Sequence, residues 1–236
     1  MKRRRSLLVF IGGTIALALL AGAMPSMIEE SPPLPFTFPW DQSAVRNEPV
    51  QPGTALEALQ KIEVKGRAAK TGYSRSQFGA GWALVNGCST RDIIMYRDLT
   101  NVTLSDECTV ASGTLNDTYT GKVIEYTKSN SSAVQIDHVI ALSDAWQKGA
   151  QQLTPELRQQ LANDPLELIA VSGPANQQKS DADAASWLPD HKPFRCQYIA
   201  RQIAVKQKYS LWVTLAERHA MEEVLQTCPA QPLPQG

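Results

Sequence analysis

The sequence predicts an α+β domain with two short strands and one helix at its centre, flanked by further helices and short strands. Three observations point there. The stretch from Ala133 to Trp187 holds two strand-like apolar runs. Ala133-Val134-Gln135-Ile136 closes on the polar pair Asp137-His138, and Leu166 to Val171 leads through Ser172-Gly173-Pro174 to Asn176 and Lys179. Helix-start chemistry recurs around this stretch, as in Thr154-Pro155-Glu156, an N-cap residue followed by Pro at the first helical position. Finally, the chain carries four cysteines behind an export-type N-terminus.

The first 23 residues read as a secretory signal. Lys2 to Arg5 form a basic start, Leu7 to Leu20 an apolar run, and Ala21-Gly22-Ala23 a small-x-small cleavage site. The rival is an uncleaved anchor, since the apolar run extends 18 residues to Met24. Either way the remainder is predicted to leave the cytoplasm, and a cleaved signal makes the protein secreted. Removing the four basic residues lowers the positive count from 23 to 19 against 23 acids, so the mature chain is near −4 rather than neutral. A nucleic-acid partner would then need a local basic surface. An even cysteine count in an exported chain suggests disulfides. Of three possible pairings, Cys88–Cys108 with Cys196–Cys228 is preferred, because each closes a local loop on its own side of the central stretch. No C-x-x-C or tight Cys/His cluster suggests zinc.

Residues 24–53 read as a Pro-rich linker with seven prolines from Pro25 to Pro52. The main domain is predicted over 54–228, with a flexible tail at 229–236. Thr54 is a candidate N-cap for a helix with Leu56, Leu59 and Ile62 on one face. Gly72 to Trp82 is rich in turn residues and aromatics. Ile93, Ile94 and Tyr96 fit a buried strand or short helix. The flanking Arg97-Asp98 reads as a structural ion pair, and Arg91 as either an ion pair or a phosphate contact. Val102 to Ser112 predicts strands with Cys108 inside, and Lys122 to Thr127 another strand. Leu142 to Ala150 looks helical, Thr154 starts a helix ending near Ala162, and a further helical region runs from Phe194 past Tyr209. Thr214 with Glu217 forms a capping box for the last helix. Between Asp190 and Arg218 six basic residues face two acids, which suits a solvated helix face or a surface that tracks a nucleic-acid backbone.

The central residues suit phosphodiester hydrolysis. A water must be deprotonated and aimed, the transition-state charge neutralised and the leaving oxygen stabilised. A hard divalent cation serves the last two needs, and a neutral imidazole the first. Of the three histidines, His138 is the candidate base, because Asp137 beside it is a candidate metal ligand. Neighbours on a regular strand point to opposite faces, so the strand is expected to end and turn at this pair. Asn176 offers a carbonyl oxygen to a hard ion, and Lys179, three residues on, shares its helix face and is placed at a phosphate.

These residues resemble the His-Asn-His (HNH) endonucleases with a ββα-metal site. They resemble more closely the exported HNH proteins related to the C-terminal nuclease domain of GmrSD restriction enzymes. The motifs that carry the likeness are Gly87 to Asp92 (G-C-S-T-R-D), Ala133 to Ala150, Asn163 to Asp181 and Trp187-Leu188-Pro189. The resemblance implies Asp137 and Asn176 as ligands of Mg2+ or Mn2+, His138 as general base, and products bearing a 5′-phosphate. It implies a nucleic-acid substrate, DNA before RNA. The motif's middle Asn, which braces the base-bearing loop, is replaced here by Glu167. An ionised Glu accepts backbone N–H groups but cannot donate, and it could instead add a carboxylate near the metal. Two rivals follow: an HNH-fold module that binds nucleic acid without cutting it, and a Ser-His-Asp esterase built on His138, which lacks a G-x-S-x-G elbow.

Overall fold

The computed structural model describes residues 53–234. The predicted signal at 1–23 and the linker, save its last residue, lie outside the described residues. Helix α1 (Ala55–Gln60) starts at Thr54, whose hydroxyl accepts the Glu57 N–H while the Glu57 carboxylate accepts the Thr54 N–H. A 3-10 turn (Arg75–Phe78) leads to a small antiparallel hairpin of β1 (Leu84–Val85) and β2 (Cys88–Ser89). Its turn, Asn86-Gly87, has φ of +51° and +84°, the geometry that Asn-Gly supports at low cost. Ser89 then caps α2 (Thr90–Asp98), so Ile93, Ile94 and Tyr96 are helical. Strands β3 (Leu99–Leu104), β4 (Val110–Asn116) and β5 (Val123–Thr127) form one antiparallel sheet in that order. Cys108 sits in the β3–β4 turn, not inside a strand, because the Asp106 carboxylate accepts the N–H groups of Cys108 and Thr109 at 2.9 and 2.7 Å and curls the chain.

The central unit follows. Strand β6 (Val134–His138) precedes α3 (Leu142–Gln147), α4 (Pro155–Asn163), β7 (Leu168–Ser172) and α5 (Gly173–Lys179). Strands β6 and β7 pair antiparallel from Val134↔Ser172 to His138↔Leu168, and α5 follows directly. Helix α3 stops at Gln147, short of the predicted Ala150, because Gly149 takes φ +124° where any Cβ would meet Trp212 at 3.3 Å. Two longer helices, α6 (Arg195–Lys208) and α7 (Leu215–Gln226), complete the chain, the latter with the predicted Thr214–Glu217 capping box.

The hairpin β6–β7 separates two apolar clusters, and the two-residue period of a strand decides which side chain joins which. Leu168 and Ala170 pack with Val134, Ile136 and the sheet side, whereas Ile169 and Val171 pack with the helices. The edge of β7 away from β6 is covered by side chains. Asp98 accepts the Ala170 N–H at 2.7 Å, and Arg97 and Arg201 donate to the Leu168 carbonyl at 2.7 and 2.8 Å. Arg97 also grips Asp98 with two N–H groups at 2.6 and 2.8 Å, which makes this pair structural, as predicted. An unpaired strand edge is closed that way. The hairpin's other end requires glycine: a Cβ on Gly173 would lie 1.9 Å from the Ser132 carbonyl.

Both preferred disulfides are present, Cys88–Cys108 and Cys196–Cys228. They tie β2 to the β3–β4 turn and α6 to the end of α7. Each adds about 3 kcal/mol, chiefly by restricting the unfolded chain. Within the predicted flexible tail 229–236, residues 229–234 turn back onto the domain. The Ala55 N–H donates to Gln231 at 2.8 Å, and Leu233 packs on the core.

Candidate active site

All five residues of β6 line one cavity of about 770 Å3, together with Arg75, Trp82, Arg91 and Asn176. Five consecutive strand residues can share a cavity only along the strand edge that β7 leaves free. Neighbours on opposite faces, Asp137 and His138, therefore both reach it. The strand ends at this pair, as the sequence suggested, and the chain bends over residues 139–140. The strand stays in register through His138.

His138 is 6 % exposed, and its orientation is fixed from two sides. Its Nε2–H donates to the Ala162 carbonyl at 2.9 Å. That carbonyl belongs to the last turn of α4, where carbonyls lack intrahelical partners. Trp82 stacks on the imidazole with 5° between ring planes. The Nε2–H bond leaves Nδ1 as the basic nitrogen. Burial, with added repulsion from Arg75 and Lys179 and against the pull of the Ala162 carbonyl, lowers the His138 pKa to about 3. The ring is therefore neutral at ordinary pH.

The loop after His138 is braced by Glu167. The Val139 N–H donates to the Glu167 backbone carbonyl at 2.9 Å, and the Ile140 N–H to both carboxyl oxygens at 3.3 Å. Glu167 is fully buried and does not line the cavity. Burial pushes its pKa well above the usual carboxylate range, against the pull of the Lys179 ammonium. The protonated form keeps acceptor capacity and gains one donor, so the departure from Asn costs less than the ionised group would.

Asp137 is held by partners that the sequence did not reveal. The Tyr119 hydroxyl donates to Oδ2 at 2.5 Å, and Lys179 Nζ lies 3.0 Å from each carboxylate oxygen. Lys179 also donates to the His138 carbonyl at 2.8 Å. Its side chain is 0 % exposed, so its predicted place at a phosphate is corrected: it is the internal counter-ion of Asp137. Burial pushes the Asp137 carboxyl above its ordinary value, against the pull of Lys179 and Tyr119. Tyr119 is itself pushed well above the usual phenol range by burial and by Asp137, which keeps its proton on the phenol.

Asn176 is half-buried at the cavity, its Nδ2 donating to Gln135 Oε1 at 3.0 Å. That bond leaves the Asn176 carbonyl oxygen as an acceptor, and Asn176 and Asp137 line the same cavity. The donor set is a carboxylate and an amide oxygen, which fits a hard divalent ion that keeps waters and takes substrate oxygens. Among the described residues no group of three or more His, Cys, Asp or Glu could hold a metal, so the ion would be held by few protein atoms.

Arg91 lines the cavity from the first turn of α2, with Nη2 3.4 Å from the Tyr126 hydroxyl and Nη1 3.6 Å from Asp92. The basic run after Asp190 does not form a surface beside the site. Lys206 is buried against Glu217 at 3.0 Å, Lys208 pairs with Asp164 at 2.7 Å, and Arg201 donates to the carbonyls of Leu166 and Leu168. The cationic groups that meet the cavity are Arg91 and Arg75, and Arg75 lies in the aromatic stretch Gly72 to Trp82 that gave no specific signal.

A buried neutral histidine at the end of a β-hairpin, next to a carboxylate and followed by a short helix, defines a ββα site. The chain belongs to the GmrSD restriction endonuclease C-terminal domain family, which matches residues 89–224. The family points to a nuclease-like function. The chain is also 39 % identical over 178 residues to an uncharacterized secreted protein of Arthroderma benhamiae, a match covering 74 % of this chain and 85 % of that relative.

Proposed function

We propose that this protein is a secreted, metal-dependent endonuclease that hydrolyses phosphodiester bonds in nucleic acid, with DNA the first substrate to test. The observation that carries the reading is His138, a neutral imidazole whose Nε2–H is fixed on Ala162 while it lines the cavity beside Asp137 and Asn176. His138 takes the proton of the attacking water at Nδ1; its lowered pKa keeps the ring free to accept that proton but makes it a weaker base than an exposed imidazole. Asp137 and Asn176 would hold Mg2+ or Mn2+, which supplies Lewis-acid charge to the phosphate. Arg91 and Arg75 attract phosphate oxygens. Glu167 keeps residues 139–140 in place, and Tyr119 and Lys179 keep Asp137 aimed. Residues 1–23 direct export, and the two disulfides suit an oxidising compartment.

One observation favours a second reading, a module that binds nucleic acid without cutting it. Lys179 already gives Asp137 a positive partner at 3.0 Å, which weakens the call for a metal. Incubating the oxidised protein with supercoiled plasmid and with RNA in Mg2+, Mn2+ or EDTA separates the two. The nuclease reading expects nicking that EDTA abolishes and that His138→Ala lowers by roughly 10^2- to 10^4-fold. Retardation of nucleic acid in a gel, with no cleavage in any metal, would leave the binding module standing.

A further inference from the structure

A second cavity, about 350 Å3, shares Arg75, Trp82, His138 and Leu142 with the first and continues along residues 75–82 to α4. Gly79, Ala80 and Gly81 form part of its wall, with Phe78, Trp82 and His138 as its aromatic groups. The wall is preformed by α4. Arg158 Nε donates to the Gln77 carbonyl at 2.8 Å, the Ala83 N–H donates to Asn163 Oδ1 at 2.7 Å, and Gly79 takes φ +99° where a Cβ would lie 3.1 Å from Gln159. Small residues and aromatic rings line the same narrow space, which suits a flat group.

No carboxylate lines this slot. Its cation, Arg75, is exposed, has no ion-pair or hydrogen-bond partner among the described residues, and lines both cavities. A flat aromatic ring joined to an anion fits an apolar, aromatic slot that opens past a free guanidinium onto a candidate phosphodiester site. Successive bases stack on aromatic side chains in this way while arginines meet the backbone.

We propose that the second cavity is a nucleobase subsite: it takes the base on one side of the scissile phosphate against Trp82, while Arg75 meets a phosphate oxygen where the two cavities join. The inference rests on the nuclease reading and adds to it a contact to one flanking nucleotide. The subsite discriminates by stacking, so it favours any base over none and carries little base identity.

The test uses a dinucleoside monophosphate, which has one phosphodiester, and its two abasic counterparts, each lacking one base. Turnover is measured in Mn2+ and affinity by calorimetry in EDTA. Removing the base on one side is expected to lower kcat/KM and affinity by roughly 5- to 100-fold, and removing the other to change them less than about twofold. Ala80→Trp, which fills the slot from its exposed rim, is expected to erase the difference between parent and abasic compound. Turnover that ignores both bases would overturn the subsite and leave the nuclease reading intact. One-sided base dependence of affinity without turnover in any metal would uphold the subsite and sink the nuclease reading. No affinity and no turnover would remove both.

Discussion

Lys148 and Lys179 are both fully buried lysines beside carboxylates, yet they differ in how many charges of the other sign surround them. Lys148 contacts Asp144, Asp183 and Glu217 at 2.9, 2.8 and 2.6 Å. Lys206 adds a contact to Glu217 at 3.0 Å, and Arg67 reaches Asp144 and Asp183 at 2.9 and 2.7 Å. Three cations thus face three anions. Burial disfavours the Lys148 ammonium, but Glu217 and Asp144 outweigh it and raise its pKa. Around Lys179 the ammonium touches Asp137 and acts on Glu167 only through space, and burial pushes both carboxyls up. In the Lys148 cluster burial pushes Asp144 up as well, while at Asp183 burial is outweighed by Lys148 and Arg67, which hold it below its ordinary value. The matched cluster joins the segment of Arg67, helices α3 and α7 and the loop at Asp183, so it acts as a clamp. The unmatched cluster lies against the cavity, where burial without full compensation is typical of reacting groups.

The contrast breaks most strongly at Lys148. Lys148→Met strands three buried carboxylates with less countercharge, and loss of one member of such a network costs about 3–5 kcal/mol. Urea unfolding is expected to show this as a lower midpoint at unchanged m-value. A loss under about 1 kcal/mol would show that the cluster is no clamp. Tyr119→Phe is a smaller change. It removes one of the two partners of Asp137 Oδ2, leaving Lys179, at a cost of about 1–3 kcal/mol, and it loosens the carboxylate's aim. Turnover is expected to fall about tenfold, with the half-saturating Mn2+ concentration raised. Lower stability with unchanged metal dependence would reduce Tyr119 to a packing role. Glu167→Gln is the mildest. If Glu167 is a neutral acid, the amide reproduces its acceptor and donor, and activity should stay within about threefold. A loss comparable to that of His138→Ala would mean that the ionised carboxylate is required.

The parts of this site that could be read from sequence are those fixed by neighbours in the chain. Asp137-His138 ends an apolar run, Asn176 follows a Gly-Pro helix start, Thr54, Thr154 and Thr214 cap helices, and both disulfides close local loops. The parts that were missed depend on distant packing. Tyr119 reaches Asp137 from the turn after β4, Trp82 stacks on His138 and Arg75 meets the cavity from a segment without periodicity, and no local pattern marks them. Lys179 was misplaced for a geometric reason. Residues three apart on a helix differ by about 60° in direction, enough for Asn176 to face the cavity and Lys179 the interior. The basic run after Asp190 failed because composition does not show that Lys206 and Arg201 are consumed inside the domain.

The account depends most on the state of one ring. Folding lowers the His138 pKa to about 3 from about 6.5 in the unfolded chain. The folded state therefore binds fewer protons than the unfolded chain between those values. His138's contribution to stability is fully present above about pH 6.5 and weakens as pH falls toward 3. An NMR titration of protein with 15N-labelled histidines, resolved by His138→Ala, reads this directly. The predicted result is one imidazole of the three that keeps the neutral Nε2–H tautomer, with Nδ1 unprotonated, from pH 8 down to about 5. A His138 that titrates near 6.5, or that carries its proton on Nδ1, would contradict the account.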